Sequence, residues 1–129
     1  MKNIVKVIPQ KTGYKGRNIS MGVDGSFLLS KELADEVKNI LDVKLDFYQD
    51  ADNVKDWYIE FSRSANIPLR LKSDGITYCF YSVEMRKKIL NSIGSPIVAK
   101  RVKIVIGKSI VSKGITLYPV VTQSILNQI

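Results

Sequence analysis

Asp24-Gly25-Ser26-Phe27-Leu28-Leu29-Ser30-Lys31-Glu32-Leu33 joins a turn dipeptide to a short apolar run and then to a helix start. Upstream, Ile19-Ser20-Met21-Gly22 alternates apolar and small residues, so Asp24-Gly25 lies between two strand-like runs. Glycine takes positive φ without a Cβ penalty, and Asp-Gly in that setting is a strong hairpin signal. Ser30 is a helix-capping residue, and Glu32 places a negative charge in the first turn. Leu33, Val37, Ile40 and Leu41 then fall on one helical face. Beyond it Val43, Leu45 and Phe47 alternate inward as a strand, and Trp57-Tyr58-Ile59-Glu60-Phe61 returns after a loop at Asp52-Asn53. The reading over 17–62 is strand–strand–helix–strand–strand.

The same order recurs downstream. Asp74-Gly75 follows the alternating run Leu69-Arg70-Leu71-Lys72, and Ser82-Val83-Glu84-Met85 repeats the helix start. Met85, Ile89, Leu90 and Ile93 make the second apolar face, ended by Gly94 and Pro96. Val102, Ile104 and Ile106 alternate as the next strand, and Ile115-Thr116-Leu117-Tyr118 follows a turn at Lys113-Gly114. A second ββαββ unit is expected over 67–121.

One such unit cannot cover its own apolar face. Two related by an approximate two-fold axis can close a small barrel and leave few open edges. The expectation is a mostly β, α+β single domain over 1–129, built as a pseudo-two-fold β-barrel with two short helices. Trp57, Phe27, Phe47 and Phe80 would share its core. Residues 1–16 form a basic arm, whose Met1–Ile8 run could add a strand, and 122–129 form a short tail.

The hairpin, the short apolar strand, the Ser30-Lys31-Glu32-Leu33 helix start and Val43-Lys44-Leu45-Asp46-Phe47-Tyr48 resemble the AbrB/MazE swapped-hairpin family. Two units in one chain look like the related cradle-loop barrels. The resemblance implies hairpins exchanged between halves and, for many members, DNA binding as transcription regulators or antitoxins. Two departures stand out. Ser30 and Ser82 occupy the place usual for proline, and Ser26 and Ile76 follow the turn glycine where DNA-binding members often carry arginine.

Composition narrows the chemistry. The 129 residues include no histidine and one cysteine, Cys79. Zinc sites of Cys and His, and Ser–His–Asp or Cys–His nucleophiles, are thereby excluded. Cys79 between Tyr78 and Phe80 reads as a buried core residue. Ile106-Gly107-Lys108-Ser109 lacks the earlier glycine of a phosphate loop, with Val102 at that position. The carboxylates of Asp50, Asp52 and Asp56 read as a solvated loop, since the glycine and final glutamate of a calcium loop are missing. No enzyme, cofactor or metal is expected. With no signal-peptide core and no long apolar run, the expectation is a cytoplasmic protein without membrane contact.

Charge is the remaining functional signal. The net charge is +8, and it is segregated. Residues 1–17 hold five basic and no acidic side chains, 18–62 hold four and ten, and 63–129 hold eleven and two. Dense cationic surface neutralises phosphates and binds nucleic acid in a salt-dependent way. The expected function is nucleic-acid binding, DNA foremost, as a regulator or a phage- or plasmid-type accessory factor. Lys15, Arg17, Arg70, Lys72, Arg86, Lys87, Lys88, Lys100 and Arg101 are the candidate phosphate contacts. The alternative is a protein-interaction module, an inhibitor or assembly adaptor, docking a partner through the acidic first repeat. Either could act as a monomer or a weak homo-oligomer.

Overall fold

In the computed structural model, which describes residues 16–92 and 101–121, the chain runs through ten strands and two helices. They are β1 (Asn18–Met21), β2 (Ser26–Leu29), α1 (Lys31–Val37), β3 (Lys44–Gln49), β4 (Trp57–Ser62), β5 (Ile67–Pro68), β6 (Arg70–Leu71), β7 (Tyr78–Tyr81), α2 (Val83–Ser92), β8 (Val102–Val105), β9 (Ile110–Ser112) and β10 (Ile115–Pro119). The protein is mostly β, with two helices and two antiparallel sheets.

Both Asp-Gly dipeptides close hairpins. Gly25 sits at φ 90° and Gly75 at φ 72°, where a side chain would be strained. Asp24 Oδ1 accepts from the Ser26 N–H at 3.0 Å, and Asp74 Oδ1 from the Ile76 N–H at 2.8 Å. The helix starts also match. Ser30 Oγ accepts from the Leu33 N–H at 3.3 Å, and Ser82 Oγ from the Met85 N–H at 3.1 Å. Each serine satisfies one of the N–H groups that a first turn leaves over.

The first helix is shorter than its periodicity suggests. It stops at Val37, the Ile40 N–H tightens onto the Val37 carbonyl at 3.0 Å, and Asp42 turns the chain at φ 51°. The tightened turn shifts the phase, so Leu41, expected inward, is 67% exposed. In α2, Ile89 and Leu90 are buried and Met85 is half-buried. Ile93, Gly94 and Pro96 lie outside the described residues.

The first sheet has the order β6-β7-β2-β1-β8 and the second β5-β3-β4-β10-β9, so each sheet takes strands from both units. Hairpin β1–β2 meets hairpin β6–β7 through β2 and β7, with Phe27 opposite Phe80. Their rings stack with centroids 4.4 Å apart. Phe47 meets Phe27 edge-on at 6.0 Å, and Trp57 meets Phe47 edge-on at 6.3 Å. Ile19, Met21, Leu45, Ile59 and Ile104, all 0% exposed, complete this shared core. Such aromatic pairs contribute about 0.5–1.5 kcal/mol beyond their area burial.

Two departures from a simple repeat stand out, the first with a local cause. The first strand of the second unit is split, β5 pairing with β3 and β6 with β7. Pro68, at the break, has no N–H to give a ladder. After β8 the chain does not fold straight back. Ile106 bridges Val120, and an additional strand, β9, forms a hairpin with β10. No helix among the described residues is long and apolar enough to cross a membrane.

Candidate nucleic-acid interface

Strand alternation sends Ile19, Met21, Phe27 and Phe80 into the core, so Ser20, Leu28 and Cys79 take the opposite face of the first sheet, where Cys79 is nonetheless buried, at 4% exposure. Their registers form one cross-strand row. Arg70 is opposite Cys79, Cys79 opposite Leu28, Leu28 opposite Ser20, and Ser20 opposite Lys103. A cation therefore stands on each edge strand with small or apolar residues between. At ~4.8 Å per strand the row spans roughly 19 Å, before the reach of the two long side chains is added.

Arg101 lies beside this row on the β8 edge. Its Nη1 donates to Ser20 Oγ at 3.0 Å and its Nη2 to Ser26 Oγ at 3.3 Å. Gly22 leaves the room for this, since a Cβ there would sit 2.7 Å from Arg101 Nη2. Asp24 is held below the usual carboxylate range by the Ser26 hydroxyl and N–H, with the Arg101 charge helping. The guanidinium is thus laid across the β1–β2 hairpin and remains exposed. A planar fork held in this way keeps donors free for a phosphate oxygen.

The nine candidate cations separate into groups. Arg70, Lys72 and Arg101 are exposed on or beside the first sheet. Lys87 and Lys88 are exposed on α2, where Lys88 Nζ pairs with Glu84 at 3.6 Å. Arg17 is engaged internally, its Nη1 2.7 Å from Glu36 Oε2 and its Nε 3.2 Å from the Gly107 carbonyl. Arg86 corrects the expectation of an outward charge. It is 4% exposed, because it follows Met85 and lies three and four residues before Ile89 and Leu90 on the inward stripe of α2. Its counterpart after the first capping serine is Ala34, also 4% exposed. Lys15 and Lys100 lie outside the described residues.

Lys103 joins these cations on the sheet face. Its signal is its place between Val102 and Ile104, which turns it outward in the same alternation that buries its neighbours. The outer face of the second sheet differs in character. There Asp46 is opposite Glu60 and Tyr48 opposite Tyr58. Tyr48 donates to Glu60 Oε1 at 2.7 Å, which raises its pKa.

No family model, no curated protein and no solved structure matches this chain.

Proposed function

We propose that the chain binds nucleic acid, DNA foremost, by laying the outer face of its first sheet along the phosphate backbone. Arg70 and Lys72 would contact phosphates from one edge, and Lys103 and Arg101 from the other. The observation that carries this reading is the cross-strand row, which sets Arg70 and Lys103 on opposite edges of one face with Arg101 braced by Ser20 and Ser26. The two sheets are, in the same proposal, halves of one pseudo-two-fold barrel of the swapped-hairpin kind. The Ile106–Val120 bridge and the Val121 N–H to Val105 carbonyl bond at 2.8 Å join the end of β8 in the first sheet to the segment that follows β10 in the second, and they support that closure. Regulators and phage- or plasmid-type accessory factors are the functional class such a binder fits.

Gel shifts at low salt on duplex and single-stranded DNA test the reading. Each phosphate contact contributes roughly 0.9 to the slope of log affinity against log salt on B-DNA. Arg70→Ala with Lys103→Ala should therefore lower that slope by about 2. Absence of any shift with the unaltered chain would discard the reading.

A second reading follows from the opposite face. Asp46, Glu60, Tyr48 and Tyr58 form an acidic and aromatic surface suited to a basic protein partner. Capture from nuclease-treated lysate that Asp46→Lys with Glu60→Lys abolishes would favour this module over DNA.

A further inference from the structure

β9 and β10 form a ribbon that runs past the second sheet. Ile110, Val111 and Ser112 pair with Leu117, Thr116 and Ile115, and β10 meets β4 only from Tyr118 onward. Among the described residues β9 pairs with β10 alone. Lys113 at φ 53° and Gly114 at φ 81° close its tip, the pair of positive φ values that matches ribbon twist. Every residue from Lys108 to Gly114 is exposed. A Cβ built on Gly114 would meet no atom within 4 Å.

An exposed ribbon with apolar side chains calls for an occupant. Val111 is 74% and Ile110 46% exposed. Residues 101–121 carry Arg101, Lys103, Lys108 and Lys113 and no carboxylate, which marks a polyanion. The ribbon is also continuous with β8, whose outward Lys103 forms one edge of the sheet face. Lysines flanking the free edge oppose strand addition by another protein.

We propose that this ribbon is a groove-reading arm that enters the major groove of duplex DNA. The inference rests on the DNA-binding reading and adds a base-contacting element to it. The major groove, about 12 Å wide, admits a two-stranded β-ribbon. Lys108 and Lys113 contact the phosphates that border the groove. Val111 and its cross-strand neighbour Thr116 share one face by alternation and touch the groove floor, where the thymine methyl is the apolar mark.

The test uses the full chain and a fluorescein-labelled, mixed-sequence duplex, read by anisotropy across a salt series. Lys108→Ala with Lys113→Ala should lower the salt slope by about 2. A duplex with deoxyuridine in place of thymidine loses only the groove methyls, and the unaltered chain should bind it about fourfold more weakly for each methyl it covers. Val111→Ala with Thr116→Ala should erase that preference while leaving the salt slope in place. Unchanged slope and equal binding to both duplexes, from a chain that does bind DNA, would overturn the arm and leave the sheet face standing. No duplex binding at all would remove both. Concentration-dependent self-association in sedimentation, abolished by Val111→Lys, would assign the ribbon to protein pairing and also overturn the proposal.

Discussion

The turn glycine of the first hairpin, Gly25, packs against the first residue of the second helix, Val83. A Cβ on Gly25 would lie 2.7 Å from Val83 Cγ2 and 2.9 Å from its backbone nitrogen. The Ser82 N–H completes the contact with a 2.8 Å bond to the Gly25 carbonyl. The hairpin of one unit therefore closes on the helix of the other, and Gly25 is required twice, for φ and for space.

Gly75 offers an internal control. Its φ is 72°, but a Cβ there meets nothing within 4 Å. Gly75→Ala should cost about 1–2 kcal/mol, the left-handed penalty alone. Gly25→Ala should cost more, roughly 3–5 kcal/mol, because overpacking against Val83 adds to the strain. Urea denaturation of the two variants checks the difference, and equal losses would show that the Gly25–Val83 contact is unimportant.

The two capping serines should also separate. Ser30 Oγ accepts from Leu33 and Asn18 N–H groups and donates to the Gly16 carbonyl at 3.0 Å, so it ties the entry of β1 to α1. Ser82 Oγ makes the capping bond to Met85. Ser82→Ala should cost about 1 kcal/mol and Ser30→Ala about 2 kcal/mol. Thermal unfolding followed by circular dichroism orders them.

Asp74 makes a pH-dependent contribution. The Thr77 hydroxyl donates to its carboxylate at 2.6 Å, and with the Thr77 and Ile76 N–H groups holds its pKa down to about 2. The folded value lies below the unfolded one, near 3.8. Its stabilisation is therefore complete above that unfolded value and disappears as pH falls toward about 2. Asp24 acts in the same direction, through its bonds to Ser26. Urea midpoints should drop less steeply over this acid range in Asp74→Asn than in the parent chain. A parallel drop in both would remove Asp74 from the acid response.

Buried Arg86 and exposed Arg70 should respond oppositely to substitution. Arg86→Ala should destabilise by about 1–3 kcal/mol through lost packing, with DNA affinity per folded molecule unchanged. Arg70→Glu should leave the melting temperature nearly constant and weaken binding. Unfolding curves and anisotropy on the same preparations distinguish the two; a DNA defect in folded Arg86→Ala would place that side chain at the interface after all.

Much of this architecture is written locally. Asp24-Gly25 and Asp74-Gly75 specify turns because glycine alone tolerates the required φ, and Ser30 and Ser82 specify helix starts because a hydroxyl can satisfy a free N–H. Alternation through Val102, Ile104 and Ile106 specifies a buried strand, and the same alternation turns Lys103 outward. Charge segregation is likewise a property of the linear chain. What tertiary structure alone decided is which strands become neighbours. That Arg70 and Lys103 share a face depends on four successive registers between segments far apart in sequence. Arg86, by contrast, turns inward on a spacing already present in the chain, three and four residues before Ile89 and Leu90. Turn, cap and helix-face patterns act over a few residues, whereas the choice of neighbouring strands is set by burying two apolar faces together, a long-range constraint that no local pattern encodes.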